Sequence, residues 1–246
     1  MRSHHILLAT AILVLVWQVA AVVVNTSLLP GPGVAAIAFV AQLPRGLAHH
    51  FLVSSYRLVA SMVIATLLAT PVGLILGQSN RANALMSPVI YLTYPVPKIV
   101  FLPVIMLFLG TGDTSKIFII SLILFFQILV VVRDACLGVR PELVQSVRSL
   151  GAGRIELLRY VYLPACLPAV LTALRVSTGT AVAVLFLAET FATQSGLAYY
   201  ITVEAWGRMA YPEMYAGVIA MALLGLIAYI CLDLLESRVC EWMVVK

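Results

Sequence analysis

Long runs of apolar residues with almost no charge recur along this chain and decide its fold class. The first, residues 6–24, contains no Asp, Glu, Lys or Arg at all. A helix rises about 1.5 Å per residue, so roughly 20 apolar residues cross the ~30 Å hydrocarbon core of a bilayer. Further runs cover residues 50–76, 86–109, 116–132 (reaching toward 138), 168–191 and 214–235. The chain is 63% hydrophobic and 10% charged, whereas soluble domains carry roughly 45–50% and about 25%. The membrane is therefore its solvent, and a disordered chain, a nucleic-acid binder and a cytosolic enzyme are excluded. The expected fold is all-α and polytopic, a single domain over residues 1–246 with about six transmembrane helices, or five if the first is absent from the mature chain.

The first run is longer than the ~7–15 residue core of a secretory signal and lacks a small-residue cleavage site, so it reads as a retained span. A loop marked by Asn25, Pro30-Gly-Pro32 and Pro44-Arg45-Gly46 follows, with a weakly amphipathic stretch suited to the membrane surface. Tyr94-Pro-Val-Pro-Lys98 and Pro103 interrupt the third run, and Gly110-Thr-Gly-Asp-Thr114 reads as a turn. The net charge of +5 is spread thinly, and in a membrane protein it reports orientation. Arg2, Arg81, five arginines from Arg133 to Arg159, Arg238 and Lys246 fall on one side; Arg45, Arg57, Lys116 and Arg208 fall on the other. This bias places both termini and residues 133–164 in the cytoplasm.

Motifs for catalysis are missing. The sequence holds no G-x-x-x-x-G-K-[ST], no H-E-x-x-H and no G-x-S-x-G, so nothing here cradles nucleotide phosphates, holds zinc or presents a serine nucleophile. Cys136, Cys166, Cys231 and Cys240 form no C-x-x-C pair and read as buried small hydrophobes or free thiols. His4, His5, His49 and His50 sit at span ends and read as surface polar residues. No cofactor and no metal is expected on this chain.

Residues 133–164 form the longest polar stretch. Pro141 suits a first helical turn, and Glu142 is favourable beside a helix N-terminus. Leu143, Val147 and Leu150 recur at helical spacing, which predicts an amphipathic helix of two to three turns. Gly151 and Gly153 break it, and a second short helix is expected to end at Pro164. Such a hairpin can project a knob into a groove on another protein. A solvated re-entry loop fits the same periodicity.

This stretch resembles the EAA loop of ABC importer permeases: E-A-A, three residues, G, nine residues, I-x-L-P. Anchored on Gly151, Val161-Tyr-Leu-Pro164 stands at I-x-L-P, and Arg148, Leu150 and Gly151 match the common A-R-x-L-G form. Gln145-Ser146-Val147 departs from E-A-A. The resemblance continues through Ser54-Ser-Tyr-Arg57, Pro95-Val-Pro-Lys98, Leu109-Gly-Thr-Gly112, Ala188-Glu189 and Ser195-Gly-Leu197. In that order these segments, about residues 46–208, resemble the nitrate/sulfonate/taurine branch of binding-protein-dependent permeases.

The resemblance implies a type I ABC importer permease fold, with residues 46–236 as family core and 139–168 as a cytoplasmic coupling loop. It implies two copies of a separate ATPase subunit, which hydrolyse the ATP, and a second permease chain as a homodimer. It further implies a periplasmic or lipid-anchored solute-binding protein, in a multi-pass inner-membrane complex with no nucleic acid. Gln145, Ser146, Arg148, Ser149, Leu150, Gly151 and Ala152 would contact the ATPase. At Gln145 a charge-assisted contact becomes a neutral hydrogen bond. The solute would be small and anionic: nitrate, bicarbonate, a sulfonate such as taurine, or a pyrimidine precursor. A self-sufficient secondary transporter or channel is the second reading. It is disfavoured because no repeat relates the two halves, and a membrane-embedded enzyme ranks third.

Ionisable residues at membrane depth are costly and default to function. Lys98 lies beside two prolines, where a helix unwinds only against protein or a water-filled cavity. Arg175 and Glu189 fall near opposite ends of the fifth span, roughly 21 Å apart along one helix, too far to pair. Lys98 and Arg175 are candidate path cations for an anion. Glu189, similar to an acidic residue of the family near the outer end of this span, is a candidate for gating or structural hydrogen bonding, or for an acid that reaches the interface. Gly73-Leu-Ile-Leu-Gly77 permits close helix contact in lipid.

Overall fold

The computed structural model describes residues 3–243; Arg2 and Lys246, counted above for orientation, lie outside them. Every regular element among the described residues is helical. Long helices are α1 (Ser3–Val24), α3 (Leu47–Gln78), α6 (Asp113–Leu137), α9 (Leu163–Thr190) and α11 (Tyr211–Val239). Between them lie α2 (Pro32–Gln42), α4 (Asn80–Thr93), α5 (Leu102–Leu109), α7 (Pro141–Ser149), the single turn α8 (Arg154–Leu157) and α10 (Leu197–Tyr199). Among the described residues five helices are long and apolar enough to cross a membrane, or six if a bent pair is counted as one span. The weakly amphipathic stretch forms α2, opened by Pro32, whose ring pre-sets φ at the first turn.

The bent pair covers the third apolar run. Asn80–Thr93 and Lys98–Leu109 meet at 78°. Pro95 and Pro97 have no N–H to donate and push the preceding residues toward extended backbone. The helix therefore stops at Thr93, and a tight turn from Lys98 to Phe101 starts the second arm.

One expectation fails at Pro164. The second amphipathic helix does not end there: α8 passes through a π-helical stretch, Leu158–Tyr162, straight into α9. A proline inside a helix withholds its N–H and crowds the carbonyl one turn back. The wider π winding displaces that carbonyl, and buried Leu157 and Val161 hold the turn against the core. Residues 154–190 are thus one 37-residue apolar helix.

The chain divides into two compact units, residues 1–55 with 189–224, and residues 56–188 with 225–246. In the first, Leu47, Leu197, Ala198, Tyr200, Ala205, Ala216 and Ala220 form the core. The Trp17 ring stacks on Tyr215 with centroids 5.8 Å apart, and its Nε1 donates to the Pro30 carbonyl at 3.1 Å. A Cβ at Gly217 would stand 2.5 Å from Ile201 Cγ1, so a side chain there would have to displace that of Ile201.

In the second unit Leu58, Ala65 and Ala69 of α3 bury with Ile119, Leu124, Ile128 and Val132 of α6 and Leu171 and Leu185 of α9. The glycine pair works within the chain: a Cβ at Gly73 would meet the Val132 side chain at 2.9 Å, and one at Gly77 would strike Cys136. Ser121 Oγ donates to the Ser61 carbonyl at 3.2 Å, adding a polar tie to this seam. Arg57, expected among the outer charges, is 2% exposed inside α3. Its Nη2 lies 2.6 Å from Asp113 Oδ1, and the carboxylate makes the buried cation tolerable. Lys116 is also buried and donates to the carbonyls of Thr111 and Gly112.

Candidate functional site

The polar stretch folds as a projecting knob. α7 starts at Pro141 with Glu142 in its first turn. It ends where Gly151, at φ +87°, takes a left-handed conformation that a residue with a Cβ resists. The Leu150 and Gly151 amides donate back to the carbonyls of Val147 and Arg148 at 3.2 and 3.0 Å. Gln145, Ser146, Arg148, Ser149 and Gly151 are exposed and Ala152 is half-buried. The two serines bond only within the helix, Ser146 Oγ to the Glu142 carbonyl and Ser149 Oγ to the Ser146 carbonyl, both at 2.8 Å. Leu150 is 86% exposed and Ile155 75%. The structure brings all seven predicted contact residues onto this one knob, with large apolar side chains at its tip.

Lys98 lies at the elbow of the broken span. Its Nζ donates to the carbonyls of Thr93, Tyr94 and Val96 at 2.9, 3.3 and 3.4 Å, the groups that the prolines left without helical partners. It also stands 4.3 Å from the Phe126 ring centroid. Arg175 has separate partners: its Nη1 lies 2.5 Å from Asp233 Oδ1 and 3.1 Å from Glu236 Oε2. Thr172 Oγ1 donates to Glu236 Oε1 at 2.8 Å. Two carboxylates three residues apart on α11 thus neutralise this guanidinium. Their i, i+3 spacing in an apolar run was the available signal.

Glu189 is fully buried. Its carboxylate accepts from Ser54 Oγ at 2.8 Å and from the Ala198 amide at 3.1 Å. Ser54 Oγ in turn accepts from the Leu197 amide at 2.8 Å, and His50 Nδ1 accepts from the Gly196 amide at 3.1 Å. Three successive amides of the 196–198 loop are therefore held by three side chains. His50 was read as a surface residue, and the structure overturns this: it is 6% exposed. Because Nδ1 accepts, the ring proton sits on Nε2, which faces Glu204 Oε1 at 3.3 Å. Gly196 has φ +114°, and a Cβ there would strike the Glu189 carboxylate. Tyr200 packs against His50 with centroids 5.6 Å apart. Burial first, then Glu213 and Glu204, push its phenol up to about 12. The i, i+4 spacing of His50 and Ser54 was the signal sequence reading missed.

Among the described residues no group of three His, Cys, Asp or Glu stands close enough to hold a metal ion.

Residues 69–240 match the sequence profile of a family described as binding-protein-dependent transport system inner membrane component. The chain is 31% identical over 193 residues to the taurine transport system permease protein TauC of Escherichia coli (strain K12), covering 78% of this chain and 70% of that protein. It is 29% identical over 239 residues to the putative aliphatic sulfonates transport permease protein SsuC of Bacillus subtilis (strain 168), covering 96% and 86%. A solved structure described as inward-facing conformations of the MetNI methionine ABC transporter superposes with a TM-score of 0.65 at 20% identity, covering 78% of this chain and 95% of that chain. At that identity the likeness speaks to the fold, which is that of an ABC importer permease.

Proposed function

The chain belongs to the family of binding-protein-dependent transport system inner membrane components, and we propose on that premise that it forms the translocation path for a small anionic solute. It is a membrane permease, not an enzyme. Relatives named for taurine and aliphatic sulfonate transport support this solute class; nitrate, bicarbonate and pyrimidine precursors belong to the same proposal. Two copies of the chain form the path, a periplasmic or lipid-anchored binding protein delivers the solute, and two copies of an ATPase subunit bind and hydrolyse ATP. Both termini face the cytoplasm.

The observation that carries this reading is the exposed apolar tip of the knob, Leu150 at 86% and Ile155 at 75%. Large apolar side chains grouped at the tip of a projecting turn mark a contact surface for another protein. Gln145, Ser146, Arg148, Ser149, Leu150, Gly151 and Ala152 form the surface that seats in the ATPase. Gln145 gives a neutral hydrogen bond there, and Arg148 gives the charge. Because α8 runs unbroken into α9, displacement of the knob by closure of the ATPase dimer is delivered directly to a spanning helix. Rigid elements of this kind carry coupling between distant sites. Along the path, Lys98 and Arg175 are the cations and Glu189 fastens the 196–198 loop.

The test is the energy source of uptake. The chain, co-expressed with its neighbouring genes and reconstituted into vesicles, should take up taurine or an aliphatic sulfonate only with ATP inside the ATPase-facing compartment. Uptake that proceeds without ATP and collapses with an ionophore would overturn the proposal in favour of a stand-alone secondary transporter.

A further inference from the structure

The two prolines that break the third span leave a cavity of about 300 Å³, walled by Pro95, Pro97, Lys98, Phe126, Gln127 and Val184. A second hollow of about 270 Å³ shares Tyr94 and Gln127 with it and presents the hydroxyls of Ser177 and Thr180. Two features of the first cavity are left unanswered by the fold. The Lys98 ammonium meets only neutral partners: three carbonyls and the rings of Tyr94 and Phe126. Among the described residues no carboxylate pairs with it, unlike Arg175, which has two. Gln127 lines both hollows, and its Oε1 is buried without a hydrogen-bond partner. A buried acceptor left without a donor is unfavourable.

We propose that this cavity is a binding station for a small organic anion that carries a hydrogen-bond donor away from its charged group. The anionic oxygens face Lys98, where the 3.3 and 3.4 Å contacts to Tyr94 and Val96 are long enough to be exchanged for charge-assisted ones. The short carbon chain lies against Phe126 and the prolines. A turn of the Gln127 side chain, which lines both hollows, brings its amide oxygen to the donor. Its volume sits at the low end for ligand sites and suits a small solute. A bare inorganic anion would answer Lys98 and leave Gln127 as it stands. The assignment of this station to a transport path rests on the permease reading, whereas the lone cation and the orphan acceptor belong to the cavity itself.

The test uses thiol labelling in the full chain expressed with its partner genes, after replacement of Cys136, Cys166, Cys231 and Cys240 by serine. Ile123 lines the cavity, and Ile123→Cys places a thiol there with Lys98 and Gln127 intact. Two methanethiosulfonate reagents are compared, one ending in a sulfonate and one in a trimethylammonium. Each forms a mixed disulfide with the cysteine thiolate and releases methanesulfinate, and each rate is taken relative to that reagent's rate with a free thiol in solution, so that the ratio reads the charge of the cavity. The sulfonate reagent should react roughly tenfold faster, as expected for a charged cleft, and Lys98→Met should abolish the preference. Taurine should protect the thiol at lower concentration than ethanesulfonate, which lacks the amine, and Gln127→Leu should bring the two together. Equal reagent rates, a preference that survives Lys98→Met, or a thiol that neither reagent reaches would overturn the site. Equal protection by taurine and ethanesulfonate with Gln127 intact would overturn the role of the donor. Labelling reads the cavity alone, so a chain that labels as expected but transports on an ion gradient keeps the station and loses the permease reading. The opposite pairing loses the station and keeps that reading.

Discussion

The knob from α7 to Ile155 and the cluster around Glu189 use polar residues in opposite ways. On the knob, Gln145, Ser146, Arg148 and Ser149 face solvent, their hydroxyls bond only within α7, and the largest apolar side chains point outward. Around Glu189 the arrangement inverts: His50, Ser54 and Glu189 are all buried, and each is bonded to one of three consecutive amides. A surface that spends nothing on its own fold is free to be shaped by a partner. A buried network is fixed by the fold, because an unpaired member costs far more than a paired one contributes. Substitutions should therefore separate cleanly, with the cluster governing stability and the knob governing association.

The largest stability effect belongs to Glu189→Leu. It leaves the Ser54 hydroxyl and the Ala198 amide without their acceptor, two buried donors at about 1–3 kcal/mol each. A loss of about 3 kcal/mol would lower the unfolding midpoint in detergent by roughly 6–12 °C, measurable by scanning fluorimetry. A midpoint unchanged from wild type would erase the contrast between the two regions. Gly196→Ala comes next. It forces a side chain into a backbone region that only glycine favours and against the Glu189 carboxylate, at about 1–3 kcal/mol. Full stability in the same assay would mean that the 196–198 loop is not held as described. The smallest effect is Arg148→Glu on the knob. An exposed charge pair contributes about 0.2–1 kcal/mol, so ATPase affinity should fall by a factor of about 1.4 to 5 while the midpoint stays put. Unaltered affinity would show an entirely apolar contact.

How much of this was legible in sequence follows from the kind of signal each region leaves. The spans were readable because bilayer thickness imposes a length on apolar runs, and the elbow because Pro95 and Pro97 cannot continue a helix. The knob was readable from Pro141, the Leu143–Val147–Leu150 spacing and the Gly151 break. The helix beyond it was not, because Pro164 is a stop signal that the π-helical stretch at Leu158–Tyr162 overrides, and that winding leaves no mark in composition. The Glu189 cluster was hidden for another reason. His50 and Ser54 look like polar residues at a span end, and only the fold shows that Gly196, Leu197 and Ala198 come back to meet them. The acids beside Arg175 were equally distant in sequence, at 233 and 236.

The most direct measurement is capture of the ATPase by the tagged chain in mild detergent, wild type against Leu150→Asp. Leu150 is 86% exposed, so its replacement should move stability by no more than about 0.5 kcal/mol. A central apolar anchor of a docking contact contributes about 2 kcal/mol or more. Wild-type chain should bring down an ATPase in roughly equal amount, and the Leu150→Asp chain, equally abundant and equally stable, should lose at least tenfold of it. Equal capture by both chains would contradict the assignment of the knob as the surface through which ATP hydrolysis reaches the membrane path.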